Sequence, residues 1–392
     1  MEYITAAEAA EKWGVSLRQV QRLLSADRIP HAKRYGRSRL IPADAEKPGD
    51  PRREKEAPHR SMSSDFDYII MGTCAPGPHD NPDAVLDDVT DERLRLPQII
   101  DRAYLRGDFE YIKSCYQMTE GDDAVRLRTS SAAISAAIST GDYPFFLETE
   151  NYLKNIVQTA DSERVIAYAE LCLSSAYTGA IAPRMVPDWL KDGDFSALPP
   201  QTRLFAAYER AVYCQSLGRM ECVLAVAQTA LAFWDLDQGI WGHDIYLQIL
   251  CAIACGRLEL EDEAERWLLK AMNIALPHGF ITPFAENLTY LGGSLKQLFE
   301  REYPAQYAAV TAQWKHTVPN WLDFHNRFTK DNITLILSLR EYEMASLAAR
   351  GVSYAKIAEQ FNISEGRVHN IIQEICEKLF VHGKKELSKF IL

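Results

Sequence analysis

Residues 337–381 read LSLREYEMASLAARGVSYAKIAEQFNISEGRVHNIIQEICEKLFV, and the spacing in this stretch predicts the fold of the C-terminus. Ser338 with Glu341 forms a capping box that predicts the start of a first helix. Met344 and Leu347 fall on one face of that helix, and Gly351 predicts its end because glycine adopts the left-handed conformation found after helices. The first element is therefore an amphipathic helix that buries one side.

Two further helices follow in the same stretch. Ser353 caps a short helix that turns Ile357 and Ala358 inward and ends at Phe361, and a tight turn at Asn362-Ile363 comes next. Ser364 then caps a longer helix whose core spacing is set by Val368, Ile371, Ile372, Ile375 and Leu379. A short helix, a tight turn and a capped second helix are typical of a helix-turn-helix, whose second helix lies in the major groove of DNA.

The segment is similar to the LuxR-type helix-turn-helix family over about 60 of the 392 residues. The matching positions keep the family order without gaps: Leu337, Arg340, Glu341, Glu343, Gly351, Ile357, Ala358, Ser364, Val368, Ile375, Lys378 and Leu379. The resemblance implies that residues 364–379 form the recognition helix and that the domain pairs on an operator with two half-sites. The sequence departs from the family at His369 and Ile371, where the family has lysine and histidine.

The predicted DNA contacts of this domain lie along the recognition helix. Arg367 and His369 are the cationic candidates, and Asn370 and Gln373 are candidates for hydrogen bonds to bases, since Arg pairs with guanine and Asn or Gln with adenine. Ser364 stands at the helix N-terminus, where free amides can meet a phosphate. Further phosphate candidates are Lys356, Lys384 and Lys385. A helix-turn-helix used only for protein contact remains the alternative.

The N-terminus carries a second unit of this kind, with residues 3–42 reading YITAAEAAEKWGVSLRQVQRLLSADRIPHAKRYGRSRLIP. Thr5 with Glu8 predicts the start of one helix, and Ser16 with Gln19 predicts the start of another. Residues 31–41 then predict a hairpin with its turn near Gly36.

This segment resembles the winged helix-turn-helix of phage excisionases and the MerR family over about 45 residues. The resemblance implies a recognition helix over residues 16–26 and a basic wing. Arg18, Gln19 and Arg22 are then the residues near bases, and the wing meets phosphate or the minor groove through Arg34, Arg37 and Arg39. The alternative is a basic surface on a small interaction module.

The middle of the chain has apolar residues at three- and four-residue spacing from about residue 94 to residue 328, which predicts helices. Glycines recur there at intervals of 34, 38, 39 and 38 residues, at Gly107, Gly141, Gly179, Gly218 and Gly256. This period is the length of a two-helix hairpin, and the segment looks like a degenerate tetratricopeptide-type solenoid. A non-repeating helical domain is the alternative. The tryptophans Trp234, Trp241, Trp267 and Trp314 are expected to pack in its core rather than form a ligand cage.

The predicted fold class is mainly α. We expect a winged helix-turn-helix domain at 1–45, a largely irregular linker at 46–93 rich in proline and charge, a solenoid-like helical repeat domain at 94–328, and a helix-turn-helix domain at 329–392.

Charge is distributed unevenly along a chain whose net charge is −11. Residues 1–60 carry 13 Lys and Arg against 9 Asp and Glu, residues 331–392 carry 8 of each, and residues 61–330 carry 22 against 37. DNA contact is therefore expected at the ends and not in the acidic middle.

Several classes of protein are disfavoured by what the sequence lacks. No P-loop, G-x-S-x-G, H-E-x-x-H or dinucleotide fingerprint is present, and the eight cysteines form no C-x-x-C pair, so we expect no enzyme, cofactor or metal site. No long uncharged apolar run and no signal peptide are present, which predicts a cytoplasmic protein without a membrane span.

Double-stranded DNA is the expected partner, and the sequence predicts a sequence-specific transcription regulator. The acidic helical array is expected to bind a protein or small-molecule effector, and a homodimer is expected. The main alternative is a helical-repeat interaction scaffold with weak or vestigial DNA binding. An architectural, excisionase-like role is a third possibility.

Overall fold

The computed structural model describes residues 3–25, 29, 32–35, 38–43, 45, 47, 62–74, 76–180, 182–233, 239–291, 293–329, 337, 339–378, 383–384 and 386–387. The chain divides into two compact units, Met1–Ser61 and Met62–Leu392. None of the helices in these described ranges has the length and apolar character to span a bilayer.

The first unit is a small winged helix-turn-helix. Strand β1 (Tyr3–Thr5), helices α1 (Ala6–Trp13) and α2 (Leu17–Ser25), and strands β2 (Lys33–Tyr35) and β3 (Ser38–Pro42) follow one another. The strands form an antiparallel sheet in the order β1-β3-β2, with Ile4 opposite Ile41. The predicted capping box of Thr5 and Glu8 is present. Ala9, Val20 and Ile41 are each fully buried where the two helices meet the sheet.

The second unit begins with α3 (Met62–Thr73) and continues as paired helices. The pairs are α4 (Glu92–Arg106) with α5 (Phe109–Gln117), α6 (Asp123–Thr140) with α7 (Tyr143–Thr159), α8 (Glu163–Gly179) with the short α9 (Asp188–Asp192), α10 (Arg203–Ser216) with α11 (Met220–Phe233), and α12 (His243–Arg257) with α13 (Glu261–Ala275). The short α14 (Thr282–Asn287), α15 (Gly293–Glu302) and the long α16 (Pro304–Thr329) complete the array. Successive two-helix units are consistent with the tetratricopeptide-like architecture that the period predicts.

The recurring glycines lie at a helix end at four of the five predicted positions, and three of them are left-handed. Gly107, Gly141 and Gly218 have positive φ angles of 85°, 73° and 71° directly after or near a helix end. Gly179 is instead the last residue of α8, and Gly256 lies inside α12. Near the end of α12 the left-handed residue is Glu259, with φ of 64°.

Helix α3 occupies part of the stretch 46–93 that composition predicts to be irregular linker. Phe66, Ile69 and Ile70 recur at helical spacing and are buried against Tyr168 and its neighbours in the array. These apolar residues form one stripe that packs α3 onto the array, although prolines and charges dominate the sequence around them. The structure therefore differs from the linker prediction over Met62–Thr73.

The first helices of the pairs line up into a closed ring. Each packs on the next, α4 on α6, α6 on α8, α8 on α10, α10 on α12 and α12 on α14, and α14 packs back on α4. The ring closes where Gly77 and Ile240 exchange backbone hydrogen bonds of 2.9 and 2.8 Å and where Arg106 donates to the His278 carbonyl at 3.3 Å. The helical array therefore closes on itself and surrounds an interior space.

Helix α16 lies across this ring. Its Gln313 donates to the Thr282 hydroxyl of α14 at 2.9 Å, its Asn320 donates to the Ser139 carbonyl of α6 at 2.8 Å, and its His325 Nδ1 lies 2.7 Å from the Ala180 carbonyl beyond α8. These contacts join one helix to three members of the ring.

Three helices follow at the C-terminus, α17 (Leu339–Ala349), α18 (Tyr354–Phe361) and α19 (Glu365–Lys378). Their shared core contains Met344, Ile357, Val368 and Ile375, each fully buried. Predictions that concern Ser338, Leu379 and Lys385 lie outside the described residues.

Candidate nucleic-acid interface and the cavity beside it

The capped N-terminus of α19 is built as the sequence predicts. The Ser364 hydroxyl accepts a hydrogen bond from the backbone amide of Arg367 at 3.2 Å, and the Ser353 hydroxyl caps α18 in the same way by accepting from the amide of Lys356 at 3.3 Å. Asn362 takes the left-handed conformation that ends α18, with φ of 53°. Asn362 ends one helix and Ser364 starts the next, so these two residues define the turn between α18 and α19.

The predicted contact residues of α19 lie on one exposed surface. Val368, Ile372 and Ile375 are buried, and the exposed side carries Arg367, His369, Asn370 and Gln373. Ser364 and Lys356 are exposed as well. A helix with a capped, accessible N-terminus and these donors on its free face has the chemistry to read base edges and to meet a phosphate.

Two of the predicted DNA-contact residues, His369 and Lys384, also make contacts within the domain. The His369 ring packs edge-on against Tyr354, with centroids 5.7 Å apart. Lys384, a phosphate candidate from the sequence, donates to the Val352 carbonyl at 2.8 Å and lies over the Tyr354 ring. The structure thus gives Lys384 a role in joining the segment after α19 to the turn before α18.

In the first unit the structure describes part of the predicted interface. Arg18 is exposed on α2, and Arg39 is exposed on β3, where it donates a hydrogen bond to the Leu24 carbonyl at the end of α2. This bond joins β3 to α2, the predicted recognition helix. Gln19 and Arg22 lie on α2 and Arg34 lies on β2, but their side chains are outside the described part, as is Arg37 entirely.

The C-terminal helices pack on the array. Leu322 of α16 belongs to the same buried cluster as Met344, and the rings of Trp321 and Tyr342 lie 6.1 Å apart. The Arg350 guanidinium lies 4.2 Å over the ring of Tyr290, which belongs to the array. One guanidinium nitrogen of Arg350, Nη1, is buried and has no hydrogen-bond partner among the described residues.

A cavity of about 310 Å³ lies inside the ring of helices. Its wall includes Tyr104, Tyr208, Glu209, Tyr246 and Glu286 from the ring, together with Trp241, Trp314 and Trp321. Helix α17 and the residue after it also contribute, through Tyr342, Glu343 and Arg350. The cavity therefore borders both the array and the C-terminal domain, and its volume is in the range of small-molecule sites.

Two glutamates and a histidine in this wall have shifted pKa values. Burial, with a contribution from nearby Glu286, raises the pKa of Glu209 to about 8, although the hydrogen bond from Thr178 opposes the shift. Burial also raises the pKa of Glu286 against the lowering effect of the Tyr104 and Tyr246 hydroxyls. Burial lowers the pKa of His243 to about 4, so this imidazole is neutral at pH 7.

Sequence reasoning missed this cavity. Trp241, Trp267 and Trp314 all pack against the core, as expected, and Trp241 and Trp314 also line the cavity, where the Trp314 indole donates to the Thr289 hydroxyl at 2.9 Å. Trp234 is outside the described residues. The available signal was the acid Glu209 beside Tyr208 on a helix that is otherwise rich in apolar residues, since acids are rarely buried without a reason.

Comparison with known families agrees with both ends of the chain. Residues 335–391 match the family described as bacterial regulatory proteins, luxR family, and residues 3–45 match a family described as helix-turn-helix domain. No curated protein and no solved structure matches the chain. With a helix-turn-helix at each end, one of them of the luxR type, the chain is a DNA-binding transcription regulator.

Proposed function

We propose that this protein is a sequence-specific transcription regulator whose helical array is the sensor for its C-terminal DNA-binding domain. The observation that carries the proposal is the shared wall, since Tyr342, Glu343 and Arg350 border the same cavity as the inner helices of the array. An effector in that cavity would touch both parts, so it could favour one placement of the C-terminal domain over another.

In this proposal α19 reads bases. Arg367 and Asn370 supply the directional donors, His369 and Gln373 flank them, and Ser364 with Lys356 positions the domain on phosphates. The first unit supplies a second reader through Arg18, Gln19 and Arg22, with Arg34, Arg37 and Arg39 on its wing. We further propose that the protein is cytoplasmic, has no enzymatic activity and acts as a homodimer, because a LuxR-type domain suits paired half-sites.

The closed ring supports a small effector over a long helical partner. An open solenoid offers a concave groove, whereas here α14 contacts α4 and α16 lies across the ring. The interaction-scaffold alternative would need a free concave surface of that kind.

The test is selection of bound genomic fragments by the full-length protein and by two paired variants. Arg18→Ala/Arg22→Ala removes cations from the first reader, and Arg367→Ala/His369→Ala removes donors from the second. Arg266→Ala/Arg301→Ala is the control, because both arginines are exposed on the array at 74% and 67% of their side-chain surface. We expect a defined motif that one or both reader variants lose and the control keeps. Weak, salt-sensitive binding without a motif would favour the scaffold.

A further inference from the structure

Glu209 and Glu286 share an unusual position in the cavity wall. Glu209 is only 2% exposed, and its carboxyl accepts a hydrogen bond from the Thr178 hydroxyl. Glu286 is exposed, and its side chain lines the same cavity. The two carboxyl groups therefore stand in one cavity wall, Glu209 buried and Glu286 accessible.

Neither carboxyl group has a cationic partner among the described residues. Their hydrogen bonds come from neutral hydroxyls, Thr178 to Glu209 and Tyr104 and Tyr246 to Glu286. An enclosed carboxylate without a counter-charge is costly, and two of them near each other cost more.

Four other basic side chains line the wall, and three of them are already engaged. Arg128 makes a two-pronged contact with Asp101 at 3.2 and 2.5 Å, Arg102 is 3.2 Å from Asp83, and the neutral His243 stacks on Phe205 with ring centroids 4.7 Å apart. The fourth, Arg350, lies over the Tyr290 ring, and its Nη1 has no hydrogen-bond partner among the described residues. None of the four forms an ion pair with Glu209 or Glu286 among the described residues.

Aromatic rings surround the two acids. Tyr208 and Tyr246 have centroids 4.8 Å apart, and the wall continues with Tyr104 and Tyr290. The face of an aromatic ring attracts a cation, most strongly where water is excluded. A wall that combines tyrosine rings with carboxyl groups is thus suited to a positively charged organic group.

The cavity wall also contains a side-chain amide that donates no hydrogen bond to any described residue. Gln215 lines the cavity and is 7% exposed, and its Nε2 has no hydrogen-bond partner among the described residues. A buried amide donor without a partner is a deficit that an occupant with an acceptor atom would remove.

We propose that the ring cavity binds an organic cation, an ammonium or guanidinium group on a small apolar body with a hydrogen-bond acceptor, held at Glu209 and Glu286 between tyrosine rings. The positive group favours the ionised form of Glu209, which is otherwise protonated near pH 7, and then provides a counter-charge to both carboxylates, while the body lies against the aromatic wall. Binding itself stands on the cavity alone, whereas its role as the signal for the C-terminal domain rests on the function proposed above.

Titration calorimetry and thermal shift on the full chain test the proposal with matched probes. Phenethylammonium and benzyltrimethylammonium are the cations, 2-phenylethanol is the neutral counterpart, and phenylacetate is the anion. The variants are Glu209→Gln and Glu286→Gln, which keep shape and remove charge. Glu265→Gln on the exposed side of α13 is the control. Circular dichroism verifies that each variant is folded.

We expect the cations to bind and raise the melting temperature, with affinity at least about tenfold lower in each cavity variant and unchanged in Glu265→Gln. Equal binding of 2-phenylethanol, or full affinity in folded cavity variants, would mean a neutral ligand and overturn the proposal. Absence of binding by both cations would overturn it as well. Because no DNA is present, the result is independent of the fragment selection, and either proposal can fail alone.

Discussion

Tyr104 of α4 donates a hydrogen bond to the carboxyl group of Glu286 in α14, 182 residues later in the chain. The same carboxyl group accepts a hydrogen bond from Tyr246 of α12 at 2.8 Å. Glu286 in α14 therefore links the last helix of the ring to the first, α4, and to α12. Its hydrogen bonds therefore lie at the place where α14 packs back on α4 and the ring closes.

Closure of the ring is expected to depend on this bond. Tyr104→Phe removes the hydroxyl and leaves Glu286 with one donor fewer, so the free energy of unfolding should fall by about 1–2 kcal/mol in urea denaturation. Tyr68→Phe is the control, because the Tyr68 hydroxyl bonds to Asp91 at 2.7 Å on the exposed surface and should contribute less. Equal losses in the two variants would contradict a special role for the Tyr104 bond.

Glu209 is expected to make stability depend on pH. Its pKa is about 8 in the folded chain against an ordinary 4.5, so the folded state keeps a proton that the unfolded state releases in that range. The stabilisation is complete below about pH 4.5 and is lost as the pH rises through 8. Between pH 6 and pH 9 the unfolding free energy should therefore fall by about 2–3 kcal/mol more in the unmodified protein than in Glu209→Gln.

Tyr208 and Cys172, which lie near Glu209, are not expected to add to this pH dependence of stability. Burial raises the pKa of Tyr208 well above its usual value and that of Cys172 to about 12, so neither ionises below pH 9. Glu286 is the remaining acid, and Glu286→Gln provides the comparison. Identical pH profiles for the unmodified protein and Glu209→Gln would show that Glu209 titrates normally.

Docking of the C-terminal domain is expected to depend on Tyr290. Tyr290→Leu removes the ring beneath Arg350 and leaves that cation without its aromatic partner, so amide hydrogen exchange in α17 and α18 should become faster. Trp267→Leu removes the ring beneath Lys270 on the outer helix α13 and should leave exchange in α17 unchanged. Unaltered exchange in Tyr290→Leu would argue that apolar contacts with α16 hold the domain alone.

The cap of the recognition helix is expected to matter for stability and for DNA. Ser364→Ala and Ser353→Ala each remove one cap bond and should each cost about 1 kcal/mol in thermal unfolding of the C-terminal domain. We expect Ser364→Ala to weaken operator binding more than Ser353→Ala, because Ser364 caps the helix that is proposed to read bases. Equal DNA affinity in the two variants would remove Ser364 from the proposed interface.

Local patterns made the two DNA-binding units predictable. The caps at Thr5, Ser353 and Ser364, the buried positions Val368 and Ile375, and the exposed Arg367 and Asn370 all follow from spacing within about twenty residues. The helix α3 was harder, because one apolar stripe around Phe66 is short and its partner Tyr168 lies about a hundred residues away. Its burial is therefore a tertiary effect.

The helical hairpins and the helix-turn-helix units at both ends could be predicted from sequence, because caps, glycines and helical periodicity act between residues close in the chain. Three features could not: the hairpins close into a ring, Glu209 and Glu286 line its cavity, and Arg350 contacts Tyr290. Those outcomes depend on the small rotation between successive helix pairs, summed around the array, and no local pattern encodes that sum.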